Sequence, residues 1–238
     1  MAPRPRSLPS AECGQLEREG TVKDKYNIYA PVYDVLSGEF AVYRAGRILG
    51  IDALDPRPGD QILDIGCGTG LNFPLLQDRI GPTGTIIGID RSPGMLRQAH
   101  RRARLHRWDN IILVQADIIS LDASAVMEQV SGQGGTPASD GIIATYSLSL
   151  MPAWRTAWAN IQNLLGAEAR VSIVDMQEPY GSARWLAPLA RFACRIGGAD
   201  IFAHPWQFVE EDCVGVDSRS ARGGHLQIRA GTLQHRHE

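Results

Sequence analysis

The sequence predicts a doubly wound α/β fold, and three observations support this prediction. Short apolar runs alternate with longer segments of helical spacing, which is typical of strand–helix–strand units in a parallel sheet. The apolar runs are rich in Ile, Leu and Val, as expected of strands whose two faces are both buried. With 238 residues, of which 44% are hydrophobic, the chain is long enough for one large core.

The amino-terminal part of the chain precedes these units. Residues 1 to 20 are rich in Pro, Arg, Ser and Glu, so we expect a disordered tail. The segment from Tyr26 to Gly50 places apolar and aromatic residues at helical spacing, which predicts an N-terminal helical lid over about residues 21 to 55. We expect a single domain over residues 21 to 238 that includes this lid.

Five strands and their crossover helices are predicted next. The strand candidates are QILDIG, TIIGID, NIILVQAD, DGIIATYS and ARVSIVDM. The segments between them are long enough for the helical crossovers that parallel neighbours need. After Met176 we expect a helix around Ser182 to Arg195, and then a closing antiparallel pair from Val209 to Val216 and in GGHLQIRAGTL. The prediction is a Rossmann-like, mostly parallel seven-stranded sheet with an antiparallel last strand.

Charge and cysteine content argue against several classes of protein. The chain has 24 Lys and Arg against 26 Asp and Glu, a net charge of -2, which gives no reason to expect nucleic acid. The four cysteines form no CxxC pair, so neither a metal site nor a disulfide framework is predicted. No run approaches the roughly 20 apolar residues that span a bilayer. We expect a cytoplasmic protein.

The stretch LDIGCGTG, from Leu63 to Gly70, predicts a site for an adenosine cofactor. A strand that runs into a glycine-rich turn and then a helix is common to several such sites. A dinucleotide fingerprint needs a third glycine where Leu71 stands, and a phosphate-binding loop needs Gly-Lys-Ser/Thr, so NAD and ATP are both disfavoured. Asp64 would repel a phosphate group but could fix a ligand's ammonium group.

Two further acids end the second and third predicted strands. Asp90 can accept hydrogen bonds from two ribose hydroxyls, and Asp117 can accept one from an exocyclic amine such as that of adenine. Ile118 and Met95 would then enclose the adenine ring. Taken singly, each acid is equally well explained as a helix cap or turn residue. Three acids at or near the ends of predicted strands, together with one glycine-rich turn, favour a crevice that binds a ligand.

Together these motifs resemble the class I S-adenosylmethionine-dependent methyltransferases, over about residues 26 to 232. LDIGCGTG is similar to their first motif, GIDRSPGML to their second strand and following helix, and QADI to their acidic third-strand end. The resemblance implies S-adenosyl-L-methionine as cofactor, with the glycine turn approaching its methionine moiety and ribose. The expected cofactor-binding residues are Asp64, Gly66, Cys67, Gly68, Gly70, Asp90, Arg91, Met95, Asp117, Ile118 and Tyr146.

The acceptor is predicted to lie between the lid and the end of the fourth strand. Tyr146, Ser147 and Ser149 can hydrogen-bond an acceptor head group there, although bonds to local backbone explain the two serines equally well. Tyr29 and Tyr33 stand four residues apart on the lid, where they either close over a cationic group or pack together. No residue is singled out as a general base.

The class of acceptor depends on a second resemblance. YAPVYDVLSG, TYSLSLMPAW and GGHLQIRAGT resemble bacterial lipid-amine N-methyltransferases, which act on phosphatidylethanolamine or betaine-lipid head groups, and the chain is somewhat less similar to quinone C-methyltransferases. A lipid or small-molecule amine is therefore the expected acceptor. The alternatives are C- or O-methylation of a quinone or other small molecule, transfer of the cofactor's 3-amino-3-carboxypropyl arm, and a binding protein without turnover.

A basic segment is the basis for expecting peripheral contact with the inner membrane. HRRARLHRW, from His100 to Trp108, carries four arginines and two histidines that could meet anionic lipid head groups. The solvated outer face of a crossover helix is the simpler explanation of the same segment. The oligomeric state is not predicted.

Overall fold

The computed structural model describes residues 43–234, in which a seven-stranded sheet lies between helices. The strands of this range are β1 (Gln61–Ile65), β2 (Thr85–Asp90), β3 (Ile111–Gln115), β4 (Ser139–Thr145), β5 (Leu165–Met176), β6 (Cys213–Ala221) and β7 (Leu226–Leu233). The α-helices are α1 (Arg44–Leu54), α2 (Phe73–Ile80), α3 (Pro93–His106), α4 (Ala123–Ser131), α5 (Trp154–Gln162), α6 (Ala187–Gly197) and α7 (Gln207–Asp212). Short 3-10 helices span Ile118–Ser120, Leu148–Leu150 and Gly181–Leu186.

The strand order explains where a ligand site can form. The order is β3-β2-β1-β4-β5-β7-β6, and within the described range only β7 runs antiparallel to the rest. The chain builds outward from β1 to β3 and then returns to place β4 on the other side of β1. Ligands bind at such a reversal, outside the carboxyl ends of the strands. The predicted doubly wound sheet and its antiparallel last strand are confirmed.

Both faces of the sheet are covered, which explains the apolar strand sequences. In β1, Ile62 packs in one core with Leu54 of α1 and Leu76 of α2. The next residue, Leu63, points to the opposite face, whose core includes Val130 of α4. Successive strand residues face opposite sides, so burial of both faces requires apolar residues at nearly every position.

The amino-terminal prediction is only partly covered by the described residues. Its carboxyl-terminal portion forms α1, which packs against the sheet: Leu54 is fully buried, and Ser172 of β5 donates a 2.9 Å hydrogen bond to the Gly50 carbonyl. The tail of residues 1 to 20 and the remaining lid, with Tyr29 and Tyr33, lie outside the described residues.

The start of the closing strand pair was predicted incorrectly. Residues 209–212 belong to α7, and β6 begins at Cys213. The reason is packing, because Phe208 stacks on Trp158 with ring centroids 5.3 Å apart and Val209 is fully buried beside it. Among residues 43–234, no helix has the length and apolar character that crossing a bilayer requires.

Candidate functional site

A cavity of about 560 Å³ opens at the carboxyl ends of β1 to β4. This volume lies within the usual range of small-molecule sites, roughly 300–1,000 Å³. The predicted site residues that line it are Gly66, Cys67, Gly68, Asp90, Arg91, Met95, Asp117, Ile118, Tyr146 and Ser147. Asp64, Gly70 and Ser149 do not line it. The strand ends therefore bring most of the predicted residues to one place.

The glycine turn after β1 needs glycine for two different reasons. Gly66 has a φ of +65°, and a Cβ there would lie 2.4 Å from Cβ of Ser147, so no larger residue fits beside the end of β4. Gly68 has a φ of +55°, and no atom lies within 4 Å of where its Cβ would be. Since Gly68 lines the cavity, it keeps open the space that a side chain would enter.

Asp90, at the end of β2, braces this turn. Its Oδ2 accepts a 2.9 Å hydrogen bond from the backbone N–H of Gly68, and its Oδ1 accepts one of 2.8 Å from Ser92. Burial raises the pKa of Asp90 above its ordinary value, and these two bonds partly offset the rise. Each carboxylate oxygen can accept a further bond, which leaves acceptor capacity toward the cavity.

Asp117 serves as a helix cap at the far end of the cavity. Its Oδ1 accepts a 3.0 Å hydrogen bond from the Ile119 N–H and so caps the 3-10 helix Ile118–Ser120. The side chains of Ile118 and Met95 are buried beside it and line the cavity. The cap occupies one carboxylate oxygen, so the capping and ligand-binding interpretations are compatible.

Asp64 lies beneath the cavity and not in its wall. Its Oδ1 accepts a 2.8 Å hydrogen bond from the side-chain amide of Asn72, while Oδ2 has no hydrogen-bond partner among the described residues. Burial raises the pKa of Asp64 to about 7, although the Asn72 bond and the charge of Arg47 act in the opposite direction. The predicted direct contact with a ligand's ammonium group is therefore not provided by this geometry.

A polar chain connects Asp64 to the cavity. The Asn72 amide also donates to Oγ1 of Thr145 at 3.1 Å, and Arg47 of α1 donates to that same oxygen at 2.5 Å and to the Asn72 carbonyl at 3.2 Å. Arg47 and Thr145 line the cavity. The cation thus reaches the cavity wall while remaining linked to the buried acid.

Two hydroxyls that follow β4 bond to backbone. Tyr146 has a φ of +57°, and its hydroxyl donates a 2.9 Å hydrogen bond to the Tyr43 carbonyl while Arg47 lies 5.3 Å from its ring centroid. The Ser147 hydroxyl donates to the Ile65 carbonyl at 2.7 Å. Both residues line the cavity, and both hydroxyl protons are used in these bonds to backbone carbonyls.

Ser149 turns away from the cavity toward a buried acid. Its hydroxyl donates to Asp175 at 2.7 Å, and its N–H donates to the second oxygen of that carboxylate at 3.1 Å. Burial raises the pKa of Asp175 to about 6. These bonds hold the 3-10 helix whose Leu150, with neighbouring Met151, lines the cavity. The expected contact of Ser149 with an acceptor therefore gives way to a structural role.

The three residues of the polar chain that connects Asp64 to the cavity were not singled out individually from the sequence. They are Arg47, Asn72 and Thr145. Thr145 ends β4, and Asn72 follows the glycine turn, so their positions offered a signal. Arg47 offered none, because it meets Thr145 across 98 residues of chain and only through the packing of α1.

Burial raises the pKa of the Cys67 thiol well above its ordinary value, which makes that thiol a poor nucleophile.

Comparison with known proteins identifies the family. Residues 56–202 match a family model described as a methyltransferase domain. The chain is 28% identical over 181 residues to 2-phytyl-1,4-naphtoquinone methyltransferase of Synechococcus elongatus, covering 71% of this chain and 73% of the relative. It is 31% identical to nocamycin O-methyltransferase of Saccharothrix syringae, over 67% of this chain and 53% of that protein. A S-adenosylmethionine-dependent methyltransferase from Aquifex aeolicus shares the fold, with a TM-score of 0.56, 13% identity, and coverage of 86% and 98% of the two chains.

The chain therefore belongs to the methyltransferase-domain family. It is an S-adenosylmethionine-dependent methyltransferase, as the motifs predicted.

The described site fits this cofactor. S-adenosylmethionine joins an adenosine to a methionine that carries a sulfonium, an ammonium and a carboxylate. The open space at Gly68 admits a bulky group beside the glycine turn. The orphaned oxygen of Asp64 supplies negative potential below that turn, and the Arg47 guanidinium supplies a partner for a carboxylate.

Proposed function

We propose that this methyltransferase binds its cofactor along the edge formed by β1, β2 and β3 and methylates a hydroxylated ring held at the end of β4. The observation that carries the proposal is the division of the cavity wall. Its two acidic residues, Asp90 and Asp117, lie at the ends of β2 and β3, whereas the segment after β4 contributes no charged side chain to the described lining.

The cofactor half follows from the positions of the acids. Asp90, with one further lone pair on each oxygen, would accept from the ribose hydroxyls. Asp117 would accept from the adenine amine, with Met95 and Ile118 against the ring. At the opposite end, Arg47 would hold the methionine carboxylate by a charge-assisted bond, and Gly68 would leave room for the backbone to approach.

Asp64 would act on the cofactor through its charge and without direct contact. Its carboxylate lies below the cavity and is linked to the wall by Asn72 and Thr145. An ionised Asp64 would stabilise the two cationic groups of the cofactor, because charges interact strongly where water is excluded. The cofactor would supply a sulfonium methyl, whose carbon an acceptor atom attacks in line while the carbon–sulfur bond breaks and the neutral thioether leaves. Holding both reactants in that line is the main task of the protein.

The acceptor half favours a neutral, partly apolar molecule. Tyr146, Ser147, Leu150 and Met151 line this part of the cavity. An amine that becomes a quaternary cation on methylation would be stabilised by a nearby carboxylate. The segment after β4 places no carboxylate in the described wall. A quinol-like ring needs only apolar contact and local polar groups. The two relatives named above carry a naphthoquinone and an O-methylation in their names, which agrees with ring or oxygen methylation.

A lipid amine as acceptor stays a prediction. The sequence resemblance on which it depends includes YAPVYDVLSG, which lies outside the described residues. The named relatives do not include a lipid-amine enzyme. Peripheral membrane contact likewise stays a proposal.

Labelled cofactor tests both the reaction and the acceptor. The purified full-length protein would receive S-adenosylmethionine labelled on the methyl or on the carboxyl carbon, with a reduced naphthoquinone or phosphatidylethanolamine vesicles. We expect methyl label in the quinol and no carboxyl label in either acceptor. Methyl label only in phosphatidylethanolamine would replace the ring by an amine, and carboxyl label would indicate transfer of the aminocarboxypropyl arm. Asp90→Ala serves as the variant with impaired cofactor binding.

A further inference from the structure

Helix α6 packs its small residues inward and turns its large apolar residues outward. The buried side chains on α6 are those of Ala187, Ala190 and Cys194. The large apolar side chains are between 60% and 64% exposed, and they are Leu189, Phe192 and Ile196. A surface helix normally buries its large apolar residues, so this arrangement is the reverse of the usual one.

The outward residues form one continuous patch. Leu189, Phe192 and Ile196 follow the three- and four-residue spacing that puts side chains on one face of a helix. Trp185, four residues before Leu189 on the preceding 3-10 helix, is 76% exposed. We call these four residues the α6 face. Exposed apolar patches of this kind mark interaction sites on soluble proteins.

The charged residues within the segment that carries the α6 face are all positive. Residues 181–199 contain three arginines and no Lys, Asp or Glu, in a chain whose net charge is -2. Arg191 pairs with Glu178, while Arg184 and Arg195 are exposed at either end of the face. The patch therefore combines large apolar residues with flanking cations.

The α6 face also lies at the edge of the sheet where the cavity opens. α6 follows the carboxyl end of β5, the same edge at which β1 to β4 end. After α6, the N–H of Asp200 donates a 2.9 Å hydrogen bond to the Ser149 carbonyl. Leu150 and Met151, the next two residues after Ser149, line the cavity. The helix is thus tied to the acceptor side of the site.

We propose that the α6 face is a docking surface for an anionic lipid bilayer. Trp, Leu, Phe and Ile side chains on one helix face enter the boundary between head groups and acyl chains, and arginines beside them meet anionic lipids. A second copy of the chain is a poorer fit. A twofold contact would bring Arg184 and Arg195 of one copy near the same residues of the other, where like charges repel.

The basic segment from His100 to Trp108 is less suited to this task. Leu105, at 73% exposure, is the large apolar side chain that stands exposed there. Charge without an apolar patch gives weak and strongly salt-dependent association. The α6 face offers both contributions. Delivery of a lipid-soluble ring from the bilayer to the cavity depends on the proposed function, but bilayer docking itself does not.

Vesicle sedimentation of the full-length protein tests the proposal. Vesicles of phosphatidylcholine alone would be compared with vesicles containing about one third phosphatidylglycerol, and we expect binding to the second kind. Replacing Leu189, Phe192 and Ile196 together by serine should lower this binding at least tenfold. Leu105→Ser is the control, since it removes an even more exposed leucine from α3, and it should leave binding unchanged.

A second variant separates charge from apolar insertion. Arg184→Gln combined with Arg195→Gln should lose the preference for phosphatidylglycerol. Failure of the wild-type protein to bind either vesicle, or equal binding by the serine variant and by Leu105→Ser, would overturn the proposal. A lipid-free dimer that the serine substitutions dissociate would assign the face to a second copy instead. Cofactor affinity measured on the same samples reports separately on the proposed function.

Discussion

The side-chain amide of Asn72 holds one oxygen of the buried Asp64 carboxylate at 2.8 Å and leaves the other without a partner among the described residues. A buried carboxylate in this state is costly when ionised. The cost is reduced when a cation binds nearby. Cofactor binding, stability and pH should therefore be coupled through Asp64.

Stability should fall as the pH rises from about 4 to about 7. The pKa of Asp64 is near 3.8 in the unfolded chain and about 7 in the folded protein, so the folded state binds the extra proton in this window. Asp64→Asn keeps an acceptor for Asn72 and removes the charge. We expect this variant to unfold like the wild type at pH 4 and to be about 4 kcal/mol more stable at pH 8. Urea denaturation at both pH values measures the difference, and a less stable variant at pH 8 would contradict it.

Cofactor affinity should have the opposite pH dependence. A cationic ligand favours the ionised form of Asp64, so binding below pH 7 should release a proton and affinity should rise until the pH passes about 7. Titration calorimetry in two buffers with different heats of ionisation measures the proton release at pH 6. Asp64→Asn should bind more weakly and release no proton from this site. Equal release by both proteins would show that another group is responsible.

Asp90→Ala should weaken cofactor binding by about 100-fold or more, because hydrogen bonds to a charged group contribute about 1.5–3 kcal/mol each. The variant also loses the bonds to Gly68 and Ser92 that shape the turn. Asp90→Asn retains acceptor capacity at one position and should lose less. Calorimetry ranks the three proteins, and near-wild-type affinity of the alanine variant would exclude Asp90 from ribose binding.

Gly68→Ala and Gly181→Ala form a matched pair. Both glycines have a left-handed φ, of +55° and +59°, and a Cβ at either meets no atom within 4 Å. Each substitution should therefore cost about 1–2 kcal/mol of stability from backbone strain. Gly68 lines the cavity, and Gly181 does not. We expect cofactor affinity to fall at least tenfold for Gly68→Ala alone, and an equal effect of both variants would assign the loss to strain.

Ser149→Ala should lower stability by about 1–3 kcal/mol, because it leaves an oxygen of the buried Asp175 without its hydroxyl donor. Since Ser149 faces away from the cavity, we expect the KM for the acceptor to stay within about twofold of the wild type once the protein is folded. Thermal unfolding and initial-rate kinetics measure the two quantities. A large rise in KM with unchanged stability would restore Ser149 to the acceptor site.

The sheet was predictable because burial of both faces leaves a strong trace in the sequence, as in Ile62 and Leu63, which serve opposite cores. The acids at strand ends were predictable for a similar reason, since parallel strands end at one edge. The partner of the Tyr146 hydroxyl was not predictable from the sequence. Tyr146 bonds to the Tyr43 carbonyl because of its left-handed backbone and the docking of α1, and neither has a local signal.

The hydrogen bonds beneath the cavity were likewise not predictable from local sequence. Arg47 and Thr145 are far apart in the chain and meet only after α1 packs on the sheet. An arginine on an amphipathic helix has no local feature that distinguishes a surface cation from one that reaches a ligand site. Prediction from one sequence therefore finds strand-end groups more readily than groups brought in by a neighbouring helix.

The reversal of strand order between β1 and β4 divides the chain as well as the sheet. Residues 64–118 supply most of the proposed cofactor contacts, whereas the stretch after Thr145 contributes Tyr146, Ser147, Leu150 and Met151 to the opposite half of the cavity and carries α6. Exchange of the later stretch between relatives would change which molecule is methylated while the earlier stretch is inherited intact. The strand β4 pairs in parallel with both β1 and β5. A chimera joined within β4 would keep both pairings and is therefore a natural way for this architecture to acquire a new acceptor.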